Sequence, residues 1–183
     1  MARARNEHCK EDQNMKIIRK IWSAFQSIEV LAAIAVTLVI MLPIAMGMSP
    51  YVVKSGSMEP TIQTGALAFV RKGAYESAKV KKGDIVTFAA SKTTTVTHRI
   101  FKDNGDGTYQ TKGDNNDVKD SGALDRRNII GKYAFSVPYL GYAAAEARTK
   151  RGICVIAFVI IANVFVSILL SDSEAFKKEP EEE

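Results

Sequence analysis

Apolar positions gather into two blocks near the ends of the chain, and the stretch between them alternates short β-branched and aromatic runs with turn residues. The first block, Val30 to Met46, carries no charge and with its flanks approaches the roughly 20 helical residues that cross a bilayer. It predicts a transmembrane helix over 29–47, whose end Pro43 can kink without forbidding the crossing. The second block, Gly152 to Leu170, is equally free of charge and rich in Ile, Val and Phe. A helix that is apolar all round either crosses a bilayer or forms a buried core. Only about a hundred residues separate the blocks, too few to bury such a helix beneath them, so a second transmembrane helix is expected over 152–170.

Between the blocks, Ala66 to Arg71, Asp84 to Ala89, Thr93 to Phe101, Thr108 to Thr111 and Ile129 to Val137 read as strands. Asp103-Asn104-Gly105-Asp106-Gly107 supplies residues that tolerate positive φ and predicts a hairpin between two of them. Lys82-Gly83-Asp84 predicts a second turn. The expected organisation is a segment 1–28 on the cytoplasmic side, the first helix, a single mainly antiparallel β domain over 48–151, the second helix, and a tail over 171–183. The run Glu179 to Glu183, broken by Pro180, reads as a solvated end.

Charge sets the orientation. Arg3, Arg5, Lys10, Lys16, Arg19 and Lys20 precede the first block and Lys54 is the only nearby cation after it, so the positive-inside bias places the N-terminus in the cytoplasm. Arg148, Lys150 and Arg151 then fall on the outer side of the second block, against Lys177 and Lys178 beyond it, and oppose the bias locally. The first helix is taken to decide. Membrane orientation accounts for much of the net charge of +5; no basic helix or aromatic platform points to nucleic acid.

A cleavable leader is the competing reading of the first block, because Ala45 and Gly47 offer a small-residue cleavage site. Nearly thirty residues precede that block and a reactive centre begins about ten residues after it, which favours a retained anchor. Cys9 and Cys154 fall on the cytoplasmic side and inside the second block, so an intrachain disulfide is not expected. The Asp-rich hairpin lacks oxygen ligands where Gly105 and Gly107 stand, which argues against a calcium loop. With His8 and His98 the only histidines and no zinc-ligand spacing, neither a metal nor a cofactor is expected.

Candidate chemistry lies in three places. Ser55-Gly56-Ser57-Met58-Glu59-Pro60 follows the first anchor; on its own, a pair of serines around a glycine is usually a polar turn. A serine hydroxyl needs a base to become a nucleophile, and His98 is the only histidine of the β domain, in a run whose alternation turns it away from Thr97 and Arg99. Gly113-Asp114-Asn115-Asn116-Asp117-Val118-Lys119-Asp120 is a turn crowded with carboxylates, one of which can orient an imidazole.

Together, Ser57-Met58-Glu59-Pro60, Gly83-Asp84-Ile85-Val86, Thr97-His98-Arg99 and Lys112-Gly113-Asp114-Asn115-Asn116 resemble, in the same order, the boxes of the signal peptidase I family in its endoplasmic-reticulum-type Ser/His branch, found in eukaryotes, archaea and some Gram-positive bacteria. Ile130-Gly131-Lys132 and Val137-Pro138-Tyr139-Leu140-Gly141 are similar to that family's closing strand before a C-terminal membrane segment. The resemblance implies a mainly β catalytic domain of signal peptidase type, flanked by an N-terminal and a C-terminal transmembrane helix. It implies Ser57 as nucleophile, His98 as general base, Asp120 as the acid that orients it, Asp114 as a second carboxylate in support, and the Ser57 amide with the Ser55 hydroxyl as oxyanion donors. Asp117 leaves the choice of orienting carboxylate open.

What the resemblance further implies is a membrane serine endopeptidase with shallow pockets for small side chains. It would remove signal peptides from secretory preproteins on the extracytoplasmic side of a prokaryotic plasma membrane, or of the endoplasmic reticulum in a eukaryote. Membrane lipid, and additional subunits of a complex, are the partners it admits. The alternatives are a non-catalytic membrane-anchored β domain that binds a partner, and a self-cleaving protein of related chemistry.

Overall fold

The computed structural model describes residues 2–73 and 80–175. The acidic run from 179 to 183 lies outside the described residues. Helix α1 spans Ala2–Ala45, so the segment expected to precede the first membrane helix is itself helical and continuous with it. Seven strands follow: β1 Met48–Val52, β2 Leu67–Lys72, β3 Ile85–Ala89, β4 Thr95–Asp103, β5 Thr108–Lys112, β6 Leu124–Asp125 and β7 Ile129–Val137. Helix α2, Leu140–Glu146, and helix α3, Lys150–Ala175, close the chain. α3 therefore runs beyond Leu170, into the residues assigned from sequence to the tail.

All seven strands form one antiparallel sheet in the order β1-β2-β7-β3-β4-β5-β6. The chain thus leaves β2, lays down the β3-β4-β5 meander, and returns with β7 to fill the gap between β2 and β3. Five strands match the expected runs to within two residues. β1 was hidden from sequence by Pro50, which lacks the N–H a ladder needs. At the edge of the sheet Pro50 faces Phe69 on β2, and no other strand among the described residues pairs with β1. The turn into β1 is made by Gly47, whose φ of 81° ends α1 in the left-handed region that glycine tolerates best.

Three apolar clusters hold the domain. Val86, Phe88, Ile100, Tyr109, Leu124 and Ile129 pack across β3 to β7. Met48, Leu67 and Phe69, with Leu140 of α2 against them, cover the β1-β2 end, where Phe69 stacks on Phe135 with ring centroids 4.9 Å apart. The third cluster, Met58, Ile62, Ala66 and Ile85, lies under the segment that carries Ser57. Two polar ties reinforce β3: Asp84 pairs with Lys132 of β7 at 2.8 Å, and the buried Thr87 hydroxyl shares a 2.8 Å hydrogen bond with Thr97 of β4.

The helices form a separate unit. Gln26 of α1 donates to Asn163 Oδ1 and Ser167 Oγ of α3, Trp22 Nε1 donates to Ser167 Oγ, and Asn163 Nδ2 donates to Glu29 at 2.6 Å. These pairings run antiparallel. Elsewhere the apolar side chains of both helices face outward, with Leu31 66% and Phe158 71% exposed. Both are long and apolar enough to cross a bilayer.

Candidate active site

Ser57 sits on the connection from β1 to β2, and the residues after it explain why its side chain is free. Met58 and Ile62, one helical turn apart, are 2% and 1% exposed and pull the segment onto Ala66 and Ile85. The Ile62 amide donates to the Met58 carbonyl at 2.9 Å, and the Ser57 carbonyl accepts the Asn115 amide at 2.9 Å. Glu59 closes the turn by accepting the Thr64 hydroxyl at 2.7 Å and the Thr64 amide at 3.1 Å. Those two bonds, the hydroxyl first, hold its carboxyl below the usual value.

His98 comes from β4, opposite Val86 of β3, and is 8% exposed. Its Nε2 lies 3.1 Å from Ser57 Oγ, and its Nδ1 lies 2.6 Å from Asp120 Oδ2. Asp120 follows β5 and is tied back to it. Its amide donates to the Thr111 carbonyl at 2.9 Å, its carboxylate accepts the Thr111 hydroxyl at 2.6 Å, and its carbonyl accepts the Gln110 side-chain amide at 2.5 Å. A carboxylate accepting from Nδ1–H fixes the tautomer in which Nε2 carries a lone pair toward the serine hydroxyl. Serine, imidazole and carboxylate thus form one hydrogen-bonded line, able to move a proton from Ser57 Oγ to His98.

The other carboxylates of the loop sit elsewhere. Asp114 takes a two-point contact from Arg99, Nε at 2.8 Å and Nη2 at 2.6 Å, and accepts the Thr61 hydroxyl at 2.6 Å. It thereby links the segment after Ser57 to the strand that carries His98. The Arg99 hydrogen bonds hold the Asp114 carboxyl below its ordinary value, against the opposing effect of partial burial. Asp117 is exposed, and both His98 ring nitrogens are taken by Asp120 and Ser57. Of the three acids, Asp120 is the one whose carboxylate reaches a His98 nitrogen among the described contacts.

Ser55 and Ser57 line one cleft of about 550 Å³, with Met58 and Ile62 among its walls. Two strand edges bound it. β1 is the edge of the sheet, and β5 pairs with β4 only from Arg99 onward. Val53 bonds to Gly65 and Ala66 on the β2 side, so by alternation the backbone groups of Val52 and Lys54 turn outward. Those of Thr95 and Thr97 likewise turn away from β3. The cleft therefore offers hydrogen-bonding backbone on both sides and apolar side chains beneath.

A family model described as signal peptidase, peptidase S26, matches residues 26–106. Signal peptidase I W of Bacillus subtilis (strain 168) is 37% identical over 100 residues, 52% of this chain and 52% of that protein. The signal peptidase complex catalytic subunit SEC11C of Homo sapiens is 35% identical over 102 residues, 49% of this chain and 52% of that protein. Over this stretch the chain is similar to signal peptidases of the S26 family.

The chain spans about half the length of the curated relatives it matches. The matched family region contains Ser57 and His98 and ends before Asp114 and Asp120, so the carboxylates are distinguished by geometry alone. Sequence reading missed Thr111 and Gln110, which seat Asp120, and the Arg99 and Thr61 contacts to Asp114. The one signal for Thr111 was its place in β5, two residues from Tyr109, on the buried side.

Proposed function

We propose that this chain is a membrane-bound signal peptidase I, a serine endopeptidase that removes signal peptides from exported preproteins through a Ser/His acyl-enzyme. The observation that carries the reading is the hydrogen-bonded line from Ser57 through His98 to Asp120, opening into a cleft with two free backbone edges. A peptide in extended form can add as a strand between such edges, with hydrogen bonds that any sequence satisfies. The shallow apolar floor beneath suits small side chains at the cleavage site.

In this mechanism His98 takes the Ser57 proton as Oγ attacks the scissile carbonyl, and the Ser57 amide and Ser55 hydroxyl receive the oxyanion. Collapse breaks the C–N bond, His98 returns the proton to the leaving amine, and the acyl group stays on Ser57. Water, deprotonated by His98, then releases the acyl chain. Asp120 holds the tautomer and offsets the positive charge that His98 acquires, and Asp114 braces the loop with Arg99 and Thr61. Helices α1 and α3 hold the enzyme in the membrane, with the β domain on the extracytoplasmic side, and substrate signal segments share that membrane. The name of the SEC11C relative, a catalytic subunit of a complex, supports additional subunits.

The test is to mix detergent-solubilised wild type, Ser57→Ala and His98→Ala with a secretory preprotein and to follow cleavage by mass. Release of the mature chain at a small-residue site by wild type alone is expected. Equal cleavage by both variants would overturn the assignment, and a folded but inert wild type would favour a partner-binding domain.

A further inference from the structure

Arg148, Lys150 and Arg151 run against the charge bias that orients membrane helices. All three are exposed, and none makes an ion pair among the described residues. Glu146, the one acid within 139–153, accepts the Thr149 hydroxyl at 3.1 Å. Thr149 in turn caps the first turn of α3, accepting the Gly152 amide at 3.0 Å. What stands uncompensated at this corner is side-chain positive charge.

Aromatic residues adjoin the cations. Leu140 packs into the β1-β2 cluster and Gly141 is buried, whereas Tyr139 and Tyr142 are 71% and 55% exposed. Tyr139 also holds φ at 62°, a region that bulky residues seldom take. No burial of its ring offsets that cost within the domain. Exposed tyrosines followed by clustered cations have the composition of a bilayer boundary, where the rings lie at headgroup depth and the cations meet phosphates. Lys150 and Arg151 are the first residues of α3 itself, so wherever that helix enters a bilayer they stand at its edge.

We infer that α2 and the corner joining it to α3 form a docking surface for anionic phospholipid headgroups, with Arg148, Lys150 and Arg151 on the phosphates and Tyr139 and Tyr142 among the headgroups. The inference rests on α3 crossing the membrane, as in the proposed function. It gives the three cations a role that the orientation bias leaves unexplained.

The full chain, carrying a photoreactive benzophenone amino acid in place of Tyr139, is reconstituted into vesicles of equal phosphatidylglycerol and phosphatidylcholine. After irradiation, lipid adducts are counted by mass. An excess of phosphatidylglycerol adducts of about fivefold is expected, the weight of a single cation near a charged surface. It should fall to near parity when Arg148→Gln, Lys150→Gln and Arg151→Gln are combined. Equal adducts of the two lipids in the starting protein overturn the anionic preference while leaving the membrane reading intact. Absence of any lipid adduct overturns both. Persistence of the excess in the triple variant overturns the assignment to these cations.

Discussion

The Thr111 hydroxyl donates, at 2.6 Å, to the same Asp120 oxygen that faces His98. Thr111 is 2% exposed, so water cannot replace it. Thr111→Val keeps the shape and removes the donor, freeing the carboxylate to rotate away from Nδ1. We expect kcat on a preprotein to fall about tenfold, KM to stay within twofold, and stability to drop by about 1 kcal/mol. Steady-state kinetics with a thermal melt read all three, and an unchanged kcat would show that Asp120 needs no such seat.

Asp120 and Asp117 should separate cleanly. Asp120→Asn presents an amide that can donate to Nδ1 and so favour the wrong tautomer, and a loss of about 10³-fold or more in kcat is expected. Asp117→Asn, at an exposed position away from His98, should leave kcat within twofold. Equal losses in the two variants would return the loop to the ambiguity it had in the sequence.

That ambiguity has a physical origin. Hydrophobic pattern reports burial and period, so the apolar stretches of α1 and α3 and five of the strands were legible, as was the turn of His98 away from Thr97 and Arg99, whereas the helical start of α1 was not. β6 has two residues and α2 only seven, too short for a period to register, and Pro50, which cannot donate to a ladder, weakens any strand signal in β1. The site was legible in its residue types but not in its wiring. Which of three aspartates in one polar loop reaches His98 depends on how β5 and the loop fold back, and neither spacing nor propensity encodes that.

Ser55 shares the cleft with Ser57 and is exposed, so shortening it should not disturb packing. As an oxyanion donor its hydroxyl acts only on the developing charge. Ser55→Ala is then expected to slow acylation by about 10²- to 10³-fold with the melting temperature unchanged. Rescue by Ser55→Thr would separate a lost donor from a lost shape. A single-turnover rate equal to wild type in the alanine variant would remove Ser55 from the mechanism.

Asp114 contacts Arg99 and Thr61 rather than His98, and the signature expected of such a brace is acid sensitivity. Its carboxyl is held below the usual value chiefly by the Arg99 hydrogen bonds. A group with a depressed folded pKa stabilises the fold above its unfolded value, near pH 4, and that contribution is lost as pH falls through the folded value. Between neutral pH and about pH 5 the gap in melting temperature between wild type and Asp114→Asn should therefore be constant. Below that it should narrow, because only the wild type still has this carboxylate to protonate. A gap that widens on acidification would contradict the assignment.

Gly113 is held to glycine by the nucleophile's own backbone. A Cβ there would lie 2.6 Å from the Ser57 carbonyl oxygen and 2.7 Å from Asn116 Nδ2. The oxygen cannot withdraw cheaply, because it also accepts the Asn115 amide. Asn116 can rotate; the Ser57 backbone must shift, carrying Oγ away from His98 Nε2. Displacement of a reacting atom by about 1 Å can cost about 10²-fold in rate, whereas Met58 and Ile62 keep the segment anchored to the core. Gly113→Ala is expected to fold and to bind substrate with nearly unchanged KM, while kcat falls by between about 10- and 100-fold. A wild-type kcat in a folded Gly113→Ala protein would mean that the Ser57 turn adjusts freely, and that the contact with the Asn115 amide does not position the nucleophile.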